Sequence, residues 1–355
     1  MRHLVFLSFL LVLVNSTGGW ADDGSGIHFG ANGDIVGQFG LLNDPGGATQ
    51  QLQVREAEIM VYAPVDHLFD GRVSLAAHQE SGEAVFELHE AYIGSTKLIP
   101  RSRFRIGQFF LGVGRLNQFH RHDWAFISAP KVHRLFFAEE AAIDSGLEYS
   151  WLTPLPFYLD VTVGVTNGWV FGHAHTAGSL PLVPTHYLRL ETFSAFESSG
   201  GVQVGFNYLG RKTQGHVGTS LFGLDSTVKW KNGDGHSYLI QSELWYRTQT
   251  PDAGDATKNL GFYIFPNMPL ADNFWAGVRF DYYTTLGQKD VLGDPVSSYE
   301  YSIVPTLTYK TSEFATLRLA FNLMENRLNG LAADRNRMVE MQGVFILGAH
   351  PAHDF

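Results

Sequence analysis

Alternation with a period of two recurs along this chain, and it decides what the chain can fold into. In residues 314–324, Leu317, Leu319, Phe321 and Leu323 share one face, while Thr316, Arg318, Ala320 and Asn322 share the other. Residues 237–247 set Tyr238, Ile240, Leu244 and Tyr246 against Gln241, Glu243 and Arg247. Residues 157–166 and 274–283 repeat the pattern. A soluble sandwich alternates too, but it shows a charged outer face. Here charged residues make up only 17% of the chain, against about 25% in soluble domains. Placing Arg279 or Arg318 outward at mid-bilayer would cost about 2–4 kcal/mol each. The parity that follows has aliphatic side chains facing lipid and arginines facing a lumen.

The expected fold is all-β: a transmembrane antiparallel barrel of about 16 strands, within roughly 14–18. The segments are 27–40, 51–63, 70–79, 84–95, 101–110, 141–152, 157–168, 186–196, 201–211, 216–230, 236–248, 258–268, 273–284, 298–310, 314–324 and 336–349. Short connections follow the even segments and read as periplasmic turns. Longer ones follow most odd segments and read as outside loops. The longest, 111–140, is expected to be functional and to fold inward across the lumen. Residues 1–21 read as a secretory signal, with a basic start, an apolar core at 4–14 and small residues before Ala21. That apolar core is too short for a spanning helix, which needs about 20 residues. A membrane location for 22–355 therefore requires a closed barrel. The expected location is the outer membrane of a Gram-negative bacterium, with lipid around the wall and a homotrimer as one assembly.

The chain has no cysteine, so disulfides and thiol chemistry are excluded. A net charge of −10 argues against nucleic acid as a partner. Enzyme signatures are absent: there is no G-x-S-x-G elbow and no Walker loop. His89-Glu90 begins like a zincin motif, but Ile93 stands where the second histidine belongs, and His89 lies on a strand. The expected pore lining includes Arg105, Arg189, Glu191, Glu243, Arg247, Arg279, Asp281, Arg318 and Glu340, with Arg72, Glu58 and Asp160 on the same faces. Opposed charges across a lumen tune ion selectivity. Equally, they pair within the wall and hold strands in register.

Histidine is the unusual component, with fifteen in the chain. His120, His122 and His133 fall in the 111–140 loop with Asp123, and His173 and His175 in the next outside loop. In extended chain, residues i and i+2 point the same way, so each His-x-His pair offers two imidazoles to one ion. Imidazole with carboxylate suits zinc, copper or nickel. The expectation is that the two loop tips meet above the pore. The competing reading is ordinary polar loop surface, with Arg121 repelling a cation.

Two stretches carry a resemblance. Glu90-Ala91-Tyr92-Ile93 followed by Arg105-Ile106-Gly107-Gln108-Phe109-Phe110 resembles a hairpin of the phosphate-selective porins O and P. A longer set comprises Gly114-Arg115-Leu116-Asn117, His120-Arg121-His122-Asp123-Trp124-Ala125-Phe126, Phe136-Phe137 and 146–157. With the ending Leu347-Gly348-Ala349-His350-Pro351-Ala352-His353, this set is similar to a family of zinc-regulated outer-membrane proteins, often labelled TonB-dependent receptors. The resemblance implies a porin-like fold and a link to zinc. A 22-stranded TonB-dependent transporter uses about 220 residues in strands alone, besides a plug. Passive diffusion of small solutes or ions therefore fits this chain better, with no cofactor required and zinc as a candidate ion. The alternative is a surface zinc-binding barrel with little flux.

In mild detergent the folded chain should run as a compact band on gels and shift on boiling, with circular dichroism dominated by strand. A helical spectrum would exclude the barrel.

Overall fold

The computed structural model describes residues 26–41, 51–80, 83–168, 181–196, 199–213, 217–233, 235–289 and 292–348. The expected signal segment lies outside them. The strands are β1 (His28–Gly40), β2 (Gln51–Pro64), β3 (Asp70–Glu80), β4 (Glu83–Ser95), β5 (Ser102–Phe110), β6 (Ile143–Leu152), β7 (Asp160–Thr166) and β8 (Val183–Phe196). The second half comprises β9 (Gly200–Lys212), β10 (Gly218–Lys231), β11 (Ser237–Thr250), β12 (Thr257–Ala271), β13 (Phe274–Leu286), β14 (Ser298–Ser312), β15 (Ala315–Arg327) and β16 (Asp334–Gly348). Each pairs with its sequence neighbours, and β1 pairs antiparallel with β16 from Gly30↔Gly348 to Gly40↔Met338. The result is a closed antiparallel barrel of sixteen strands, the number expected.

Boundaries depart most at β7, expected over 157–168. Thr153 explains the late start, because its backbone N–H and its hydroxyl both donate to the carbonyl of Leu159, at 2.9 and 3.0 Å. That closes a compact turn. Arg101 holds it from the other side by donating to the carbonyls of Leu152 and Thr153.

The outer wall is apolar. Leu75, Phe86, Leu147, Val165, Leu317 and Leu347 are all exposed on it. In water such a belt would aggregate; in lipid it is the favourable surface. Aromatic pairs ring the short-turn end: His28 on Tyr62, Trp230 on Tyr238 and Phe274 on Tyr309, with centroids 4.7, 5.1 and 4.6 Å apart. This is the girdle position at a membrane interface.

The interior is filled by the connection between β5 and β6. Two 3-10 turns, Leu116–Gln118 and Arg121–Asp123, and a helix, Lys131–Phe137, give it local order. Asn117 fastens its base, donating to the carbonyl of Leu111 at 2.8 Å and accepting from the N–H of Ala142 at 2.6 Å. Gly114 takes φ +65°, and a Cβ there would meet the Trp245 ring at 2.7 Å. Apolar side chains of the connection, including Leu116, Phe126, Val132 and Phe137, pack on Tyr187, Leu209, Trp245 and Tyr263 of the wall. An apolar core thus lies inside the barrel, on the β8–β12 side.

Phe137 is fully buried, with its ring edge-on to Trp245 at 4.8 Å. Phe137→Ala should weaken loop docking by about 3–5 kcal/mol. Single-channel conductance should rise, and trypsin should gain access to Lys131 and Arg134. Unchanged conductance and cleavage would show that the loop is seated by its polar contacts alone.

Candidate metal centre

Opposite the apolar core, the loop meets β2, β3 and β4, and there the alternation breaks twice. On β2, Val54 and Ala57 face outward while Arg55 and Glu56 both turn inward. The register explains this: Asp34 pairs with Glu56 and Ile35 with Val54, so Arg55 is the inserted residue of a β-bulge. On β4, Ser74 of β3 pairs with Glu90 and Leu75 with Leu88, so His89 is the inserted residue of a second bulge. Each bulge delivers two consecutive polar side chains into the lumen. The first bulge also reaches the loop: Arg55 donates to Asp34 and, at 2.6 Å, to the carbonyl of Ile127.

The side chains brought together are Glu56 and Glu58 from β2, His78 from β3, His89 from β4, and His120, His122 and Glu140 from the loop. All are buried. Three overlapping groups arise: Glu56, His78, His89 and Glu140; Glu58, His89 and His120; and Glu56, Glu58 and His122. Within each group, one ligand atom per residue lies within 4.8 Å of all the others. His78 Nε2 and His89 Nε2 are 3.1 Å apart, and His89 Nε2 and Glu140 Oε2 3.6 Å. His120 Nδ1 lies 3.2 Å from Glu58 Oε1, and His122 Nδ1 3.5 Å from Glu56 Oε1. Tetrahedral zinc with ligands at about 2.0–2.1 Å requires ligand–ligand separations of about 3.3 Å. The four pairs just named, at 3.1–3.6 Å, lie close to that value.

Burial makes the carboxylates demand a cation. Among the described residues, neither oxygen of Glu56 accepts a hydrogen bond, nor does Glu58 Oε1. The imidazoles of His89, His120 and His122 lie 3.2–3.5 Å from these carboxylates, and a buried carboxylate left without such a partner is penalised by several kcal/mol. Protons or a metal ion meet that demand. Burial works against charge on His120, yet Glu58 and Glu90 outweigh it and hold the imidazole up to about 10. His122 is raised as well: burial opposes its charge, and Asp123 and Glu56 favour it.

The cluster separates two cavities. One of about 330 Å³ opens toward the long-loop end and is bordered by Gln38, Gln53, Arg55, His78 and Arg121. The other, about 570 Å³, lies toward the short-turn end and is bordered by Glu90, Arg105, His120, Asp160, Arg189 and Glu191. Most of these arginines are paired: Arg55 with Asp34, Arg72 with Glu90, Arg105 with Glu148, and Arg189 with Asp225 and Glu191.

The residues expected from sequence are therefore sorted differently. His120 and His122 sit inside the lumen against the wall, not at a tip above the pore, because Glu56, Glu58 and Glu90 draw them inward. Asp123 stands behind His122, its Oδ2 3.4 Å from Nε2. His133 is not in the cluster. It lies between Trp124 and Phe137, its Nε2 2.6 Å from the carbonyl of Glu140, and burial pushes it down to about 4. His173 and His175 lie outside the described residues. Of the expected pore lining, Arg105, Arg189 and Glu191 border the larger cavity. Four others hold the loop: Glu243 accepts from the N–H of Leu116, Arg247 donates to the carbonyl of Leu135, Arg279 donates to the carbonyl of Ser128, and Glu340 accepts from the Ser128 hydroxyl. Asp281 pairs with Arg279, and Arg318 donates to Gln342. Sequence reasoning did not bring Glu56, Glu58, His78, His89 or Glu140 into a cluster with the loop histidines. The parity breaks at 54–57 and 88–91 were the signal available.

No protein-family model matches the chain. An uncharacterized protein of Aquifex aeolicus (strain VF5) is 29% identical over 354 residues, covering 90% of this chain and 72% of that protein. Among solved structures, the outer membrane channel DcaP of Acinetobacter baumannii aligns with a TM-score of 0.61 at 10% identity, covering 93% of this chain and 100% of that one. An anion-selective porin from Comamonas acidovorans gives 0.60 at 8%, covering 91% and 99%. OmpT of Vibrio cholerae in its trimer form gives 0.60 at 10%, covering 91% and 99%. The chain has the fold of outer-membrane barrels.

Arg121 lies between His120 and His122 in sequence, with Nη2 4.0 Å from Glu140 Oε2. Arg121→Gln removes a competing cation and should tighten zinc binding by about tenfold, as read by calorimetric titration. Weaker binding would mean that Arg121 holds Glu140 in place.

Proposed function

We propose that this protein is a porin-like outer-membrane channel through which small solutes or ions diffuse passively, and that zinc or a similar divalent ion binds in its lumen. The observation that carries the zinc part is the seam between loop and wall, where buried Glu56 and Glu58 face four imidazoles. Nitrogen and carboxylate donors suit zinc, copper or nickel. Glu56, Glu58, His78, His89, His120, His122 and Glu140 are the proposed ligands, with Asp123 orienting His122. The channel part is supported by the closed barrel and by cavities on both sides of the cluster. Arg105, Arg189 and Glu191, as lining of the larger cavity, set its ion preference. No covalent step is assigned, so the protein is not proposed as an enzyme. A homotrimer is the proposed assembly, after the trimer form of the OmpT neighbour.

A second reading, a metal-binding barrel with little flux, is favoured by the apolar packing of the loop across the lumen. Conductance separates the two.

An ion that binds only the folded state at a hundred times its Kd adds about 2.7 kcal/mol of stability. Zinc should raise the melting temperature of the folded protein and alter its single-channel current. Glu56→Gln with Glu58→Gln should remove most of both effects. If zinc leaves the wild-type melting temperature and current unchanged, the metal part of the reading fails while the channel part stands.

A further inference from the structure

The three ligand groups share members. His89 belongs to the first and second, Glu56 to the first and third, and Glu58 to the second and third. A closed structural zinc site has four ligands around one position. Here seven buried side chains describe several positions, so an ion can leave one group while still held by a ligand of the next.

The first two groups follow one another along the axis of the barrel. His78, in the first group, borders the cavity at the long-loop end. His120, in the second, borders the cavity at the short-turn end, beside Glu90. Between them stands His89, with ring centroids 5.2 Å from His78 and 5.9 Å from His120. The short-turn end of such barrels is periplasmic. We propose that these overlapping groups form a relay that passes a divalent transition-metal ion from the outer cavity to the inner one, entering at His78 and Glu56 and leaving at His120 and Glu90. This rests on the reading that the cluster binds metal.

Conduction through binding sites requires attraction strong enough for entry and weak enough for release. The carboxylates provide the first. Arg121 contributes the second, since its guanidinium lies 4.0 Å from Glu140 at the outer end of the path. A relay therefore makes an uncommon demand: removing Arg121 should tighten binding and slow passage together.

The test uses the full chain in proteoliposomes loaded with a zinc-sensitive dye, with liposome swelling in a neutral sugar as reference. The relay predicts that His78→Gln and His120→Gln each lower the ratio of zinc to sugar influx by about tenfold or more. Calorimetry on the same variants should still show zinc at the remaining ligands. Arg121→Gln should lower the ratio while binding zinc more tightly, and it serves if either histidine variant does not fold. If wild type binds zinc but no variant changes the ratio, the cluster is a fixed clamp of the loop; the relay is overturned and the metal reading survives. If wild type binds no zinc, both fall.

Discussion

Pairing of β1 with β16 is the contact on which the rest depends. Lipid offers no hydrogen-bond partner, so an open edge in the bilayer would leave a row of unsatisfied N–H and C=O groups. Register from Gly30↔Gly348 to Gly40↔Met338 removes that edge. Closure at sixteen strands then makes an interior too wide for wall side chains to fill alone. The space is taken by 111–140, and this makes a lumen with a core of its own.

Irregular backbone inside a barrel needs partners for its polar groups. The inner wall provides them from nearly every direction: Glu243 for the N–H of Leu116, Asn207 for that of Gly114, Arg55 for the carbonyl of Ile127 and Arg247 for that of Leu135. Much of the lumen charge is therefore spent on seating the loop and is not open to passing ions. Other charged side chains border cavities, and the histidine–carboxylate cluster lies between the two at its outer and inner ends.

That cluster exists because two strands depart from regular pleating. A strand without a bulge offers every second side chain to the lumen, about 6.8 Å apart. The insertions at Arg55 and His89 place neighbouring residues on the same side and bring carboxylate and imidazole within 4 Å. The loop completes the arrangement from the opposite side with His120, His122 and Glu140. Each of the three groups takes one of its members from the loop, which couples the position of the loop to the occupancy of the cluster.

Period-two alternation and the absence of a charged outer face determined the barrel, a strand count within about 14–18 and the parity of Arg279 and Arg318, because lipid imposes the same two-faced rule on every strand. Alternating connection lengths determined which strand ends belong together. The His120-x-His122 pair was visible as metal chemistry for a local reason, since side chains two apart in extended chain point together. Its partners were decided only by the tertiary structure. Glu56, His78 and His89 lie on three strands, and their side chains converge because of bulges, whose inserted residues are set by cross-strand register. His133 shows the reverse. By composition and loop position it matched His120, yet it sits between Trp124 and Phe137, because burying an apolar face inside the barrel outweighed leaving the helix that carries it in water.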